Sequence, residues 1–223
     1  MDNIKHIFFD LDHTLWDFDK NSKEALSEIF ELMNLGDRIE SFERFMKKYR
    51  QINKKYWDLY RQNKVTKNQV RTGRFEDALR FFKFDDFVEK GKVLGDAYVA
   101  LSPTKTHLFE NTHEVLRKLK QKYQLHIITN GFVEVQHIKL NNSNLAQYFS
   151  VIVCSEEAGF KKPHKAVFDL ALKKAGALAS ESVMIGDSKQ ADVQGGLKAG
   201  MDAIWFNPEK IKVKKSLKHI AEL

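Results

Sequence analysis

The sequence predicts an α/β protein: an open parallel β-sheet with helices on both faces, interrupted near its start by a long helical insertion. Three observations carry that expectation. From residue 112 onward, short apolar runs rich in β-branched or aromatic residues alternate with helical patterns. More than a hundred residues separate Phe9 from Leu125, and apolar positions there recur at helical spacing. Four of the apolar runs end in polar loops, which a parallel sheet gathers at one edge.

The elements follow in chain order. Residues 4–9 form a first strand that ends in Ile7-Phe8-Phe9. Ala25, Ile29 and Met33, then Ile39, Phe42, Phe45, Tyr49, Ile52 and Tyr56, mark two amphipathic helices. Two more helices are predicted over 66–82 and 85–101; Thr66 with Gln69 makes a capping-box pattern, and Asp85 stands where it can cap the next helix. Pro103 and the Thr and Lys residues beside it end the pattern. The insertion is therefore placed at residues 18–101, and the sheet domain at 1–17 and 102–223. Later strands are predicted at 125–129, 151–154, 183–186 and 203–206. Helices at 112–123, 135–148, 165–176 and 188–199 separate them, as right-handed parallel crossovers require. Gly195, Gly196 and Gly200 fall late in a helical pattern rather than after a strand, so they do not build a dinucleotide loop, and Gly200 is read as the helix terminator.

Composition narrows the class. With 43% hydrophobic and 12% aromatic residues in a chain of 223, a sizeable core is available. No run approaches the roughly 18 apolar residues of a membrane span, and Asp10 interrupts any signal-peptide core, so a cytoplasmic protein is expected. A lone cysteine, Cys154, offers no internal disulfide and reads as a small buried hydrophobe; the eight histidines lack metal-ligand spacing. The formal charge of +7 comes from scattered pairs such as Lys47/Lys48 and Lys173/Lys174. Such pairs fit solvated helix faces rather than a nucleic-acid footprint. A basic surface still draws in small anions.

The four polar loops carry the chemistry. They are Asp10-Leu11-Asp12-His13-Thr14, Thr129-Asn130-Gly131, Gly159-Phe160-Lys161-Lys162-Pro163, and Gly186-Asp187-Ser188 with Asp192. A phosphate monoester is a dianion, so a carboxylate nucleophile needs the charge around it neutralised. Asp10 and Asp187, from neighbouring strand ends, suit one hard divalent cation, with the Asp12 carbonyl as a further oxygen; magnesium accepts so small a protein ligand set. Lys162 and the cation would stabilise the transferring phosphoryl group, while Thr129 and the Asn130 amide hydrogen-bond its oxygens. Asp12, two residues past the nucleophile Asp10, is placed to protonate the leaving oxygen and then to activate water. Thr14 orients the loop. A lone D-x-D-x-T arises by chance in a few per cent of chains at about 5% per residue type; the ordered set of four loops is far more specific.

This set resembles the haloacid dehalogenase superfamily of aspartate-nucleophile phosphatases over nearly the whole chain. The resemblance implies a Rossmann-like parallel sheet core with an inserted helical-bundle cap, and magnesium as cofactor. It implies Asp10 as nucleophile, Asp12 as acid and base, Thr129 and Lys162 as phosphate-facing residues, and Asp187 and Asp192 as the last acidic pair. In that pattern Asp192 ligates indirectly or holds Lys162, and Lys162 rather than Lys161 is chosen because it directly precedes Pro163. His13 stands where many members carry Asp or Gly. The run from Asp10 to Phe18, with Asn21 and Thr129-Asn130-Gly131-Phe132, is similar to bacterial 5′-nucleotidases acting on pyrimidine nucleoside monophosphates. The expected partner is a small phosphorylated metabolite, with no nucleic-acid polymer and no membrane; the oligomeric state is not encoded legibly.

Other readings share these residues. A sugar-phosphate or phosphoglycolate phosphatase, or a phosphomutase, would use the same carboxylates. Dehalogenation needs no cation and leaves Asp12 and Asp187 without a purpose. A phosphoacceptor signalling domain would place its acceptor after a later strand, and a non-catalytic binding protein would not need every carboxylate. Trp16 and Phe18 are expected to pack at the turn into the insertion, with stacking on a base as the alternative. Tyr49, Tyr56 and Trp57 are expected in the core of the insertion. Arg71 and Arg74 are expected to be solvated or paired with Glu76 or Asp77, the alternative being that they reach a substrate.

Overall fold

The computed structural model describes residues 3–207. The chain runs through β1 (His6–Phe9), α1 (Phe18–Leu32) and α2 (Phe42–Arg61). A π-helical turn at Gln69–Gly73 then feeds α3 (Arg74–Phe81), followed by α4 (Phe87–Leu101) and α5 (Thr112–Leu119). Next come β2 (Gln124–Thr129), α6 (Val133–Asn142), β3 (Phe149–Cys154), the short α7 (Ser155–Ala158) and α8 (Lys165–Ala175). β4 (Ser182–Gly186), a second π-helical turn at Lys189–Gln194, α9 (Gly195–Lys198) and β5 (Asp202–Trp205) complete it. The chain folds as two compact units, one of them Asp19–Lys105 and the other the chain before and after it. Among the described residues no helix is long and apolar enough to cross a membrane.

The sheet unit is the predicted α/β architecture. Its five strands lie in the order β3-β2-β1-β4-β5, and every neighbouring pair is parallel. Phe9 faces Ile127 of β2 on one side and Ile185 of β4 on the other, so β1 is the central strand. The order turns at β1, and the carboxyl ends of β1, β2 and β4 stand side by side at the place where open α/β sheets bind ligands. Side chains alternate between two cores. Ile7, Phe9, Ile127 and Ile185 pack with Val115, Leu116 and Leu119 of α5. Phe8, Ile128 and Met184 pack on the opposite face with Val167, Phe168 and Ala171 of α8. Each such side chain contributes roughly 1.5–3 kcal/mol by leaving water, which fixes the strand ends from which the polar loops depart.

Local differences from expectation have local causes. The helix expected over 135–148 stops at Asn142, because Asn144 takes a left-handed turn (φ 53°) before a 3₁₀ turn enters β3. The α7 turn was not predicted; its Glu157 carboxylate accepts from the Cys154 N–H at 2.9 Å and so starts a helix directly after the strand. Gly200, at φ 86°, does end the last helical segment. Cys154 is buried, and burial pushes its thiol up to about 12, leaving an inert hydrophobe.

The helical unit is held by its own core of Leu26, Ile29, Phe45, Tyr49, Phe75, Leu79, Leu94 and Tyr98. Ser41 caps α2 by accepting from the Arg44 N–H at 3.2 Å. The Thr66/Gln69 capping box forms in both directions, at 2.8 and 3.2 Å. Asp85 is not a cap: Asp86 precedes α4, and Asp85 lies 3.5 Å from Arg38 instead. Gly95 lets α4 approach closely, since a Cβ there would come within 2.6 Å of the Arg71 carbonyl oxygen. Tyr49 is buried, Tyr56 is half-buried and donates to Asp77 at 3.0 Å, and Trp57 is half-buried against Tyr60. The two arginines depart from expectation. Arg71 pairs with Asp96 at 2.8 Å. Arg74 is only 2% exposed, sits over the rings of Tyr49, Phe75 and Tyr98, and donates to the Asn53 side chain at 2.7 Å. Neither contact is with Glu76 or Asp77: Arg71 reaches Asp96 of α4 with its side chain part-exposed, and Arg74 turns into the core of the unit.

Candidate active site

The loop after β1 is a tight turn tied to its neighbours. The Asp10 N–H donates to the Ile185 carbonyl at 2.9 Å, fastening the residue to β4 as it leaves the strand. Leu15 and Trp16 both donate back to the Leu11 carbonyl, at 3.0 and 2.9 Å. That turn needs a left-handed residue, and His13 supplies it at φ 63°. A position that favours Gly, Asp or Asn on backbone grounds thus carries a histidine whose ring centroid lies 4.7 Å from that of Phe18. The Thr14 hydroxyl oxygen accepts from the Asp187 N–H at 3.1 Å and so joins the first loop to the fourth. Trp16 is fully buried in the sheet core, which leaves it packing rather than stacking on a ligand.

Lys162 is the hub of the site. It is 1% exposed, and its ammonium lies 2.8 Å from Asp10 Oδ1, 2.6 Å from Asp192 Oδ1 and 2.7 Å from the Ile128 carbonyl. Its backbone is held by Asn130, whose side-chain Oδ1 accepts from the Lys162 N–H at 2.8 Å while Nδ2 donates to its carbonyl at 3.1 Å. Both ends of the Asn130 side chain are therefore committed to the third loop. A phosphate contact at this residue would fall to its backbone N–H. Asp192 is fixed from the other side, because its Oδ2 accepts from the Ser188 N–H at 2.9 Å. Gly186 makes the room: a Cβ there would lie 2.3 Å from the Asp192 carboxylate.

Charge is concentrated. One oxygen each from Asp10, Asp187 and Asp192 lie within 4.8 Å of one another. Burial raises Asp10 well above the usual carboxylate range; Lys162 opposes that, and Asp192 and Asp187 reinforce it. Asp187 is raised by burial as well, with His13 lowering it and Asp192 raising it. Burial alone would lower Lys162, but the two carboxylates outweigh it and hold the ammonium protonated. Three carboxylates with one lysine among them leave excess negative charge on hard oxygen donors. A divalent cation of the magnesium or calcium kind fits that donor set.

Two further polar residues reach this edge from α6. Lys139 Nζ lies 2.6 Å from Asp12 Oδ1, and Gln136 Nε2 donates to Asp12 Oδ2 at 2.9 Å and to Thr129 Oγ1 at 2.7 Å. Sequence reasoning missed both, since polar residues inside a helical pattern read as solvent-facing. The available signal was their three-residue spacing beside Leu140, which puts them on the helix's inner face. Asp10, Thr14, Asn130, Lys162, Asp187 and Asp192 are thus linked through the contacts above, while Thr129 and the Asp12 carboxylate are joined to each other through Gln136 of α6.

Comparison with known proteins places the chain in a hydrolase family. The sequence profile of the family described as haloacid dehalogenase-like hydrolase matches residues 7–206. The pyrimidine 5′-nucleotidase YjjG of Escherichia coli is 35% identical, over 90% of this chain and 85% of its own. The pyrimidine 5′-nucleotidase PynA of Streptococcus pneumoniae is 31% identical, over 93% of this chain and 86% of its own. A crystal structure of the HAD-hydrolase YfnB of Bacillus subtilis, bound to magnesium, superposes with a TM-score of 0.87 at 28% identity, covering 99% of this chain and all of the other.

Proposed function

The chain belongs to the haloacid dehalogenase-like hydrolase family and is a phosphoric monoester hydrolase, and on that premise we propose that it removes phosphate from nucleoside 5′-monophosphates with magnesium as cofactor. One observation carries the reading: Lys162 joins Asp10 to Asp192 at 2.8 and 2.6 Å, in a cluster that also holds Asp187. The nucleotide preference is supported by the pyrimidine 5′-nucleotidases among the relatives. The magnesium preference is supported by the oxygen donor set and by the magnesium-bound YfnB structure.

In this reading the Asp10 carboxylate attacks phosphorus and the bond to the leaving oxygen breaks. Asp12 gives that oxygen a proton, then takes one from the water that hydrolyses the aspartyl phosphate. Lys162 holds one Asp10 oxygen at 2.8 Å, leaving the other to react. The Thr129 hydroxyl oxygen already accepts from Gly131 N–H and Gln136, so its own proton is free to go to a phosphoryl oxygen. Asp10, Asp187 and the Asp12 carbonyl would hold magnesium. When bound, the ion offsets carboxylate charge and polarises the phosphoryl oxygens.

A phosphate-release screen over nucleoside monophosphates, sugar phosphates and p-nitrophenyl phosphate, with magnesium and with chelator, tests the proposal. Asp10→Asn is expected to lower turnover by at least ~10³-fold, as loss of a nucleophile does, with the melting temperature shifted little. Wild-type turnover in that variant, or full activity in chelator, contradicts the reading.

A further inference from the structure

We propose that Gln136 and Lys139 are positioning residues for this reaction: they hold the Asp12 carboxylate in one orientation and couple it to the Thr129 hydroxyl, so that departure of a poor leaving group depends on them. The inference deepens the phosphatase reading above and rests on it.

The geometry is that of a built device rather than a surface pair. Gln136 is 0% and Lys139 4% exposed, although both are polar residues inside a helix. The Lys139 ammonium lies 2.6 Å from Asp12 Oδ1 and 4.1 Å from the Trp16 ring centroid. Gln136 Nε2 spends one hydrogen on Asp12 Oδ2 and the other on Thr129 Oγ1. Both Asp12 oxygens are therefore gripped by α6, one turn apart along the same helix face. Gly131 completes the arrangement, because a Cβ there would lie 2.4 Å from the Gln136 amide. A helix needing only to pack would do so with Leu or Met, since a buried ammonium loses hydration that a single ion pair barely offsets. The expense makes sense if the carboxylate it faces has to be held in place.

The chemistry follows from what Asp12 does. As the P–O bond breaks and the Asp10 O–P bond forms, the proton passes from the Asp12 carboxyl to the leaving oxygen. An unheld aspartate rotates about two side-chain bonds, and misplacement by ~1 Å costs on the order of 10²-fold. In the second step the carboxylate takes a proton from water while the same two contacts hold it in place. Gln136 sets the Thr129 hydroxyl at the same time, so phosphate contact and proton transfer share one support.

The test separates this role from a structural one by leaving group. Lys139→Met and Gln136→Leu are assayed for kcat/KM with p-nitrophenyl phosphate, whose leaving group departs as a stable anion. They are assayed in parallel with whichever alkyl phosphate monoester the wild type turns over fastest. Because kcat/KM reports the steps through leaving-group departure, each variant is expected to lose about 100-fold on the alkyl ester and less than ~5-fold on the aryl ester, within the range of positioned acid catalysis. Equal losses on the two esters, in variants that stay folded, overturn the proposal. Should Lys139→Met not fold, the uncharged Gln136→Leu carries the same comparison alone. A wild type that releases phosphate from neither ester sinks the phosphatase reading itself, and this inference with it.

Discussion

The two units bury charge by opposite means. In the sheet unit, Asp10, Asp192 and Lys162 are all nearly inaccessible, with both carboxylates on the lysine at 2.6–2.8 Å, beside a second pair in which the buried Lys139 holds the part-exposed Asp12. In the helical unit the buried Arg74 lies among the rings of Tyr49, Phe75 and Tyr98 with one amide, Asn53, as hydrogen-bond partner. A cation on aromatic faces is satisfied by packing and can remain where it is indefinitely. The carboxylates of Asp10, Asp187 and Asp192, with oxygens within 4.8 Å of one another, have one ammonium, Lys162, paired with two of them. The difference separates a charge used to build from charges kept ready for chemistry.

Mutation can break or sharpen that contrast. The largest effect is expected at Lys162→Met. Turnover should fall by at least ~10³-fold, and stability by about 3–5 kcal/mol because two buried carboxylates lose their partner. Chemical denaturation beside a phosphate-release assay reads both. If stability falls while activity survives, the hub is only a strut.

A smaller, pH-dependent effect comes from the sheet interior. His6 Nδ1 and His126 Nε2 lie 3.1 Å apart, and His126 is fully buried. Burial, with His6 beside it, lowers His126 to about 4. Below its ordinary value near 6.5 the unfolded chain takes a proton that the folded chain refuses, so stability should decline as pH falls from about 6.5 to about 4, by up to roughly 3 kcal/mol. His126→Leu should flatten most of that slope in denaturation curves collected across the range. An unchanged slope would place the acid sensitivity elsewhere.

The smallest effect belongs to the helical unit. Arg74→Met keeps most of the volume and removes the cation, so a loss of about 1–2 kcal/mol is expected, with turnover per folded molecule within about twofold. Unchanged stability with lost activity would move Arg74 from scaffold to substrate contact and erase the contrast drawn above.

Much of this was legible from the sequence. β1 and β4 are short apolar runs that read as buried strands, and the acidic residues following them, Asp10 and Asp187, were singled out by that position and by their chemistry. Lys162 was chosen over Lys161 because the family it resembles carries its lysine directly before the proline, here Pro163. What stayed hidden depended on tertiary contacts. Gln136 and Lys139 become inward-facing only once α6 docks beside the first loop. Arg74 looked solvated until the Gly91 and Gly95 contacts brought α4 against α3. The π-helical turns at Gln69–Gly73 and Lys189–Gln194 carry no periodic signature distinct from an α-helix. Asp85 and Asp86 are adjacent, and propensity cannot say which of them precedes the helix.

The central claim is that Asp10 attacks phosphorus. Rapid acid quench of the enzyme during turnover, followed by borohydride reduction and peptide mass spectrometry, tests it at the atom concerned. The account predicts an acyl phosphate on Asp10, recovered as its reduced product and absent from Asp10→Asn. A modified Asp12 or Asp187, or turnover with no acyl phosphate on Asp10, would contradict it.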